Sequence, residues 1–168
     1  MSRVVFALGS NLGDRLGHLR TAVREAAQVP EFHDTSCSPV YETEAVGGPV
    51  QDPYLNAVLV AEANLSPIVL LALAHEWEQL AGRVRHERWG PRTLDVDLIA
   101  VDDIRLHSPR LTLPHSLAHE RAFVLAPWHD VEPDAVLPGH GRVVELLANL
   151  HHAGVARRDD LDLQGALR

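Results

Sequence analysis

A strand, a clearly delimited helix and a second strand follow one another in the middle of the chain, and this order constrains the fold more than any other feature. Residues 54–65 are rich in valine and alanine, which favours a strand. Ser66-Pro67 then supplies a capping serine and a first-turn proline, and Gly82 ends the helix that they begin. Residues 94–101 form another apolar run of strand length. The helix side chains predicted to face the core are Leu70, Leu71, Ala74, Trp77 and Leu80.

Weaker signals predict further elements on both sides of this segment. Residues 3–8 predict a buried strand, and Asp14 can cap a helix that Pro30 stops. A second strand is predicted over residues 33–43, with a loop over 44–53. The order β-α-β-β-α-β predicts an α+β, ferredoxin-like sandwich with a mainly antiparallel sheet and two helices on one face. The other face is left for loops or for a site. Extra short elements are expected on the C-terminal side, namely a strand over 104–107 and helices over 119–125 and 143–152.

The length of the chain and its single cysteine limit its organisation. A chain of 168 residues buries enough surface to fold as one domain, which we place at residues 1–154, with a weakly ordered tail over 155–168. Cys37 has no partner for an internal disulfide and is expected to pack as a small apolar side chain. The first residues lack the apolar core of a signal peptide, and the apolar runs are too short to span a membrane. These features predict a cytoplasmic protein.

The charged residues exclude several classes of function. The chain has 15 basic and 23 acidic residues and a net charge of −8 at pH 7, which argues against binding to nucleic acid or to an anionic membrane. All 15 basic residues are arginines. Without lysine the chain can form neither a Schiff base nor a Walker-type phosphate loop. Any phosphate chemistry must therefore depend on arginine, histidine, backbone amides or a metal ion.

One stretch of the chain combines concentrated positive charge with two carboxylates. Residues 83–92 contain four arginines in a chain that is acidic overall, which indicates a dedicated anion site. Asp95 and Asp97 follow on a predicted strand, so both side chains point to one face and the apolar residues between them point to the other. Two neighbouring carboxylates favour a hard dication such as Mg²⁺, which also takes water and substrate phosphates as ligands. This combination indicates transfer of a phosphoryl-type group.

The sequence around these aspartates resembles that of a known family. Residues 88–98, RWGPRTLDVDL, are similar to the signature of the 6-hydroxymethyl-7,8-dihydropterin pyrophosphokinases of the folate pathway. Other segments resemble the same family in the same order: VFALGSNLG at 5–13, SPVYET at 38–43, DPYLNA at 52–57, RLTLPH at 110–115 and RAFVL at 121–125. The chain departs from the family pattern at Glu44 and Ala45, where prolines are expected, and at Ser116, where an aromatic residue is common.

The resemblance implies a reaction and two substrates. It implies that the β,γ-pyrophosphoryl group of ATP is transferred to the hydroxymethyl oxygen of 6-hydroxymethyl-7,8-dihydropterin, with release of AMP. It also implies that Asp95 and Asp97 hold two Mg²⁺ ions and that Arg83 and Arg92 are catalytic residues acting on the triphosphate. The residues that it assigns to ATP are Leu71, His75, Glu78, Arg83, Arg85, Arg92, Leu98, Arg110, Thr112, His115 and Arg121. The residues that it assigns to the pterin are Thr43, Val46, Tyr54, Asn56, Trp89, Asp95 and Phe123.

The chemistry of the pterin residues suits such a ligand. A pterin needs a flat apolar slot and a hydrogen-bonding edge, while aromatic residues make up only 5% of the chain. Tyr54 and Phe123 are the better candidates for stacking on the ring, and Trp89 is expected on a loop that closes over the site. Asn56 carries both a donor and an acceptor for the aminopyrimidinone edge.

Two other functions fit parts of the same pattern. A two-metal phosphohydrolase could be built on Asp95 and Asp97, with Glu78 as a further carboxylate. A non-catalytic ferredoxin-like module could bind nucleotide without turnover. Formation of AMP only in the presence of a pterin alcohol distinguishes both from a pyrophosphokinase. We expect a monomer that binds the two small-molecule substrates and neither nucleic acid nor a membrane.

Overall fold

The computed structural model of the chain describes residues 1–45, 48, 50–83, 91–151 and 154–168. Its strands are β1 (Ser2–Ser10), β2 (Phe32–Cys37), β3 (Tyr41–Thr43), β4 (Tyr54–Ala63), β5 (Asp95–Val101), β6 (Leu106–His107), β7 (Thr112–Leu113), β8 (Val136–Leu137), β9 (Gly141–Arg142) and β10 (Val155–Arg157). Its α-helices are α1 (Arg15–Ala27), α2 (Pro67–Leu80), α3 (Ala122–Val131) and α4 (Val143–Ala148), and short 3₁₀ helices cover Ala118–Glu120 and Gln164–Leu167. Among these described helices, none has the combined length and apolar character needed to cross a membrane.

An antiparallel sheet forms the centre of this mixed α and β fold. Strand β1 pairs with β4 along the whole length of β1, from Ser2 opposite Ala63 to Ser10 opposite Leu55. Strand β5 pairs with the other edge of β1, and β3 and β2 pair one after the other with the free edge of β4. The predicted chain order β-α-β-β-α-β is present, but the second predicted strand is divided into β2 and β3.

The division between β2 and β3 lies at a proline. Pro39 has no N–H to donate to the neighbouring strand, so the regular ladder stops there. Ser38 replaces part of it: its backbone N–H donates to Val58 O (2.8 Å), and its Oγ accepts the Val58 N–H (2.9 Å). The break ends the strand without leaving these buried backbone groups unpaired.

One face of the sheet packs on α1 and α2, as predicted. Side chains alternate along β1, so Phe6 points to this face and contacts the ring of Trp77, with centroids 5.2 Å apart. The prediction that Leu80 faces the core is wrong, because Leu80 is 57% exposed. At about 3.6 residues per turn, Leu80 is rotated away from the buried stripe of Leu70, Ala74 and Trp77. Glu78 is buried on this helix instead.

The opposite face of the sheet is divided into an apolar half and a polar half. Helices α3 and α4 cover the apolar half, where Val58, Val60 and Ile99 pack against Leu125 and Trp128. The expectation that this face is left entirely to loops or a site is therefore wrong. A register shift between β1 and β5 turns the neighbouring residues Ile99 and Ala100 both toward this second core. The polar half, nearer the starts of β4 and β5, remains open.

The last residues of the chain pack against the rest of the fold, which differs from the expected weak order of the tail. Strand β10 pairs with β3, and Leu163 and Ala166 are buried beside α1. Arg20 donates two hydrogen bonds to Asp162 O, at 2.8 and 3.1 Å. Six of the 14 residues after position 154 are apolar, but they are irregularly spaced, so hydrophobic periodicity gives little signal for these contacts. The domain boundary at 154 stays a prediction.

Candidate active site

The open half of the second sheet face has small residues at its centre and polar residues on both sides. Gly9 of β1 lies opposite Asn56 of β4 and Asp95 of β5, and Ala7 lies opposite Asp97. A Cβ atom at Gly9 would lie 3.4 Å from Asn56 Oδ1, so a side chain at this position would fill part of the space above β1. The result is a cavity of about 370 Å³, which we call the first cavity; it is lined by Ala7, Leu8, Gly9, Thr43, Glu44, Gln51, Tyr54, Asn56, Arg92, Asp95, Asp97, Leu117, Glu120, Arg121 and Phe123.

A second cavity of about 240 Å³ lies on the other side of the same two aspartates. Asp95 and Asp97 line both cavities and therefore stand where the two meet. The same-face position predicted for them is confirmed, since Leu94, Val96 and Leu98 belong to the core on the opposite face. The second cavity is lined by Leu71, His75, Glu78, Asp95, Val96, Asp97, Leu98, Arg110, Leu111, Thr112, His115 and Ser116.

The two aspartates have different electrostatic surroundings. Asp95 is held by two arginines, with Oδ1 2.7 Å from Arg83 Nη1 and Oδ2 3.0 Å from Arg92 Nη1. The contacts of Asp97 with described residues are longer, since its Oδ2 lies 3.9 Å from both Arg121 Nη1 and His115 Nε2. Burial, together with the negative charge of Asp95, raises the pKa of Asp97 to about 7. A cation between the two carboxylates would relieve this repulsion.

Arg83 is held beneath the site rather than in either of these cavities. Its side chain is 5% exposed and pairs with Glu78 as well as with Asp95. Glu78 Oε2 also accepts the backbone N–H of Val96 at 2.9 Å, which fixes the carboxylate to β5. Arg83 Nε is buried and finds no hydrogen-bond partner in the described part of the chain. A further cavity of about 460 Å³ is lined by His75, Glu78, Gln79 and Arg83.

The described residues among those predicted for the pterin line the first cavity. Asn56 Nδ2 donates to Thr43 Oγ1 at 2.8 Å, and both residues are buried. Tyr54 lines the same cavity, and burial raises the pKa of its hydroxyl, so the phenol is neutral. Phe123 completes the wall, with the Arg121 guanidinium 5.5 Å from the centre of its ring.

Apart from Arg83, the described residues predicted for ATP are divided between the two cavities. Those that line the second cavity are Leu71, His75, Glu78, Leu98, Arg110, Thr112 and His115, whereas Arg92 and Arg121 line the first. Burial and the nearby Arg121 charge lower the pKa of His115, which favours a neutral imidazole at pH 7. Three predicted residues, Val46, Arg85 and Trp89, lie outside the described residues.

The comparisons with known proteins agree on one family. The model of the 7,8-dihydro-6-hydroxymethylpterin-pyrophosphokinase (HPPK) family matches residues 5–133. The chain belongs to this family. A 2-amino-4-hydroxy-6-hydroxymethyldihydropteridine pyrophosphokinase of Mycobacterium tuberculosis strain H37Rv is 45% identical over 166 residues, covering 91% of this chain and 86% of that protein. The enzyme of the same name from Methylorubrum extorquens is 40% identical, covering 94% of this chain and 99% of that protein.

Solved structures support the fold. A Plasmodium falciparum HPPK-DHPS chain, crystallised as the A437G variant with STZ-DHP, superposes with a TM-score of 0.67 at 12% sequence identity. The match covers 88% of this chain but 45% of that one, so the present chain spans less than half of the solved protein. At this identity the likeness concerns the fold alone.

Sequence reasoning missed one residue that connects this family's site segments. Asn11 is buried; its Oδ1 accepts the Arg92 N–H (2.8 Å), and its Nδ2 donates to Gln51 Oε1 (2.7 Å) and Asp52 O (3.1 Å). The side chain therefore joins the start of β5 to the segment before β4. Asn11 was part of a segment with family resemblance, but an asparagine after a buried strand is also typical of a simple turn. Its role becomes visible only from the contacts.

Proposed function

We propose that this chain transfers the β,γ-pyrophosphoryl group of ATP to the hydroxymethyl oxygen of 6-hydroxymethyl-7,8-dihydropterin and releases AMP, as a step of folate biosynthesis. One observation carries the proposal: two cavities of different chemistry meet at Asp95 and Asp97. The first has an aromatic wall and a buried amide, which suit a pterin. The second has an arginine, two histidines and a threonine beside the carboxylates of Glu78, Asp95 and Asp97, which suits a nucleotide with a bound cation. A group can then pass from one ligand to the other at the shared wall.

The residues of the second cavity and its border would bind and orient the triphosphate. Arg110, His115 and Arg121 supply donors to phosphate oxygens, and a neutral His115 can donate without adding a charge. Arg92 Nη1 lies 3.0 Å from Asp95 Oδ2, which places its guanidinium at the shared wall. There it would bind the charge that develops on the transferred group.

The residues of the first cavity would orient the pterin alcohol. Tyr54 and Phe123 would flank the flat ring, and the Asn56–Thr43 pair would present hydrogen-bonding groups to its edge. Asp95 would lie close to the hydroxymethyl end, because it lines both cavities. This arrangement would hold the attacking oxygen near the phosphate chain, which is the main contribution that positioning can make to such a reaction.

The chemical step forms one bond and breaks one bond. The hydroxymethyl oxygen bonds to the β-phosphorus of ATP, and the bond from that phosphorus to the oxygen bridging it to the α-phosphorus breaks. The bridging oxygen leaves with AMP, and the hydroxyl proton is released. We assign no general base, because both aspartates are the proposed metal ligands and positioning with charge stabilisation can suffice for phosphoryl-type transfer.

The proposed cofactor is Mg²⁺, as two ions held by Asp95 and Asp97 together with ATP. The donor set fits a hard cation, because two carboxylates lie at alternate positions of one strand and the charge of one raises the pKa of the other. Within the described ranges no group of three or more histidine, cysteine, aspartate or glutamate side chains is arranged to hold a metal ion. The remaining ligands would be phosphate oxygens and water. When bound, the metal would neutralise charge on the phosphates.

The test is an assay for AMP with ATP, MgCl₂ and 6-hydroxymethyl-7,8-dihydropterin. We expect AMP and pterin diphosphate in equal amounts, and neither when the pterin or Mg²⁺ is omitted. Asp97→Asn should abolish the product, whereas Asp103→Asn, an exposed aspartate after β5, should not. Formation of AMP or ADP without pterin would instead indicate a phosphohydrolase. Binding of ATP without any product would indicate a non-catalytic module.

The fold type and the assembly state complete the proposal. The order β5-β1-β4 followed by β2 and β3, with α1 and α2 on one face, supports a ferredoxin-like arrangement. We propose a monomer that binds its two small-molecule substrates and neither nucleic acid nor a membrane. Sedimentation of the purified chain tests the assembly state.

A further inference from the structure

Strand β3, which carries part of the first cavity, is short and lies between β4 and β10. It has three residues, Tyr41–Thr43. Thr43 accepts the hydrogen bond from Asn56, so the position of β3 determines where both polar groups of the proposed pterin site stand. A three-residue strand provides few ladder bonds of its own. Its position must therefore depend on side-chain contacts as well.

Glu42, the residue before Thr43, is the meeting point of such contacts. Its Oε2 lies 2.7 Å from Arg15 Nη1 at the start of α1, and its Oε1 lies 3.3 Å from Arg158 Nη1 just after β10. Arg15 Nη1 also donates to Pro53 O at 2.9 Å. Pro53 immediately precedes Tyr54, which is paired with Thr43 in the sheet.

The C-terminal end of the network is itself anchored. The Arg158 N–H donates to Val40 O at 2.8 Å, which continues the pairing of β10 with the chain just before β3. Beyond it, Leu163 is buried in the main core. Arg158 therefore reaches Glu42 from a segment that is fixed on both sides.

We propose that Arg158, Glu42 and Arg15 are positioning residues for the first cavity, and that the C-terminal segment thereby determines affinity for the pterin. This inference rests on the proposed function. The network fixes the end of β3 and the start of β4, which carry Thr43, Tyr54 and Asn56. None of these three charged side chains lines either cavity, so they act through the strands and not by touching a ligand.

The size of the effect follows from the exposure of the network. The three charged side chains are each about 30% exposed, at 28%, 29% and 32%. Ion pairs of this kind contribute little each, so loss of one should change affinity by roughly two- to five-fold. Loss of Glu42 breaks both pairs and should have the larger effect.

The experiment compares Glu42→Gln, Arg158→Gln, their double variant, and Arg158→Lys. The control is Arg142→Gln, which removes an exposed arginine of β9 whose Nη2 lies 3.6 Å from Oδ1 of Asp134, a residue just before β8. The readouts are KM for pterin and KM for ATP, together with hydrogen exchange of the β3 amides. Exchange and calorimetric pterin binding do not require turnover, so they test the positioning even if the wild type makes no AMP. If the wild type makes no AMP, that result would count against the proposed function alone and not against the positioning role.

The inference predicts a selective effect. KM for pterin should rise in Glu42→Gln and Arg158→Gln with KM for ATP unchanged, and β3 amides should exchange faster. Arg158→Lys should recover most of the affinity. Arg158 also pairs with Asp160 in its own segment, at 2.7 and 2.9 Å, but it contacts strand β3 through the Glu42 carboxylate. The double variant should therefore bind pterin no worse than Glu42→Gln. Unchanged pterin affinity in both single variants would overturn the inference. Equal rises in both KM values, or an effect of the same size in Arg142→Gln, would overturn it as well.

Discussion

Replacement of Asn11 by alanine should damage stability and catalysis together. Asn11 joins Arg92 to the Gln51–Asp52 segment through three side-chain hydrogen bonds of 2.7 to 3.1 Å, and it is 2% exposed. Alanine leaves the Arg92 N–H and the Asp52 carbonyl without these partners. Because Arg92 is a proposed catalytic residue, a shift of its backbone should lower kcat more than it changes either KM.

The magnitude follows from the number of bonds. Each intramolecular hydrogen bond contributes about 1 kcal/mol net, so loss of three should lower the free energy of unfolding by about 3 kcal/mol. For a chain of this length, 1 kcal/mol lowers Tm by about 2–4 °C, which predicts a decrease of roughly 6–12 °C.

The assay is thermal unfolding followed by circular dichroism, with kcat measured on the same preparations. Asn149→Ala is the matched control, because that exposed asparagine makes one side-chain bond, to Glu145 O at 3.1 Å. It should change Tm by no more than about 2 °C. If Asn11→Ala is no less stable than Asn149→Ala, or loses stability without any loss of kcat, the link from Asn11 to Arg92 is refuted.

Further predictions concern the charged and buried groups. Asp97→Asn should lower kcat at least ~100-fold. Burial and the Asp95 charge raise the pKa of Asp97 from 3.8 to about 7, so its carboxyl lowers the free energy of unfolding increasingly as pH rises from about 4 to 7. In EDTA, Asp97→Asn should therefore raise Tm more at pH 8 than at pH 5. An equal change in Tm at both pH values would contradict this. Arg92→Ala should lower kcat, whereas Arg85→Ala should mainly raise KM for ATP; a change in KM alone for both would contradict the assignment. Burial, together with the Asp162 charge, raises the pKa of the Cys37 thiol from 9.0 to about 12. A reagent that reacts with thiolates at pH 8 should therefore label Cys37 only after unfolding. Because the unfolded chain loses this proton at lower pH than the folded chain, the free energy of unfolding should fall as pH rises above about 9. Rapid labelling of the folded chain would show that the thiol is accessible.

Features with a strong local signal were predictable from the sequence. The alternation of side chains along a strand placed Asp95 and Asp97 together and sent their apolar neighbours to the core. The N-cap at Asp14 is confirmed by its bond from the Gly17 N–H. Ser66 does occupy the N-cap of α2, but its side chain makes no capping bond. The helix start there depends on the proline and on the packing of the apolar face.

Features that depend on distant partners were not predictable. The register shift at Ile99 turns an alternating strand into one that serves both the second core and the site, and no local pattern reveals it. Arg83 was expected on the triphosphate, but its contacts with Glu78 and Asp95 arise only when α2 and β5 pack together. The pairing of β10 with β3 likewise joins segments more than 100 residues apart.

The central claim is that a pterin and a nucleotide occupy separate cavities that meet at Asp95 and Asp97. A crystal structure with 6-hydroxymethyl-7,8-dihydropterin, Mg²⁺ and a non-hydrolysable ATP analogue tests it directly. The pterin ring should lie between Tyr54 and Phe123, the triphosphate should extend toward His115 and Arg110, and the metal should contact both aspartates. Density for both ligands in one cavity, or a triphosphate with no metal contact to either aspartate, would contradict the account.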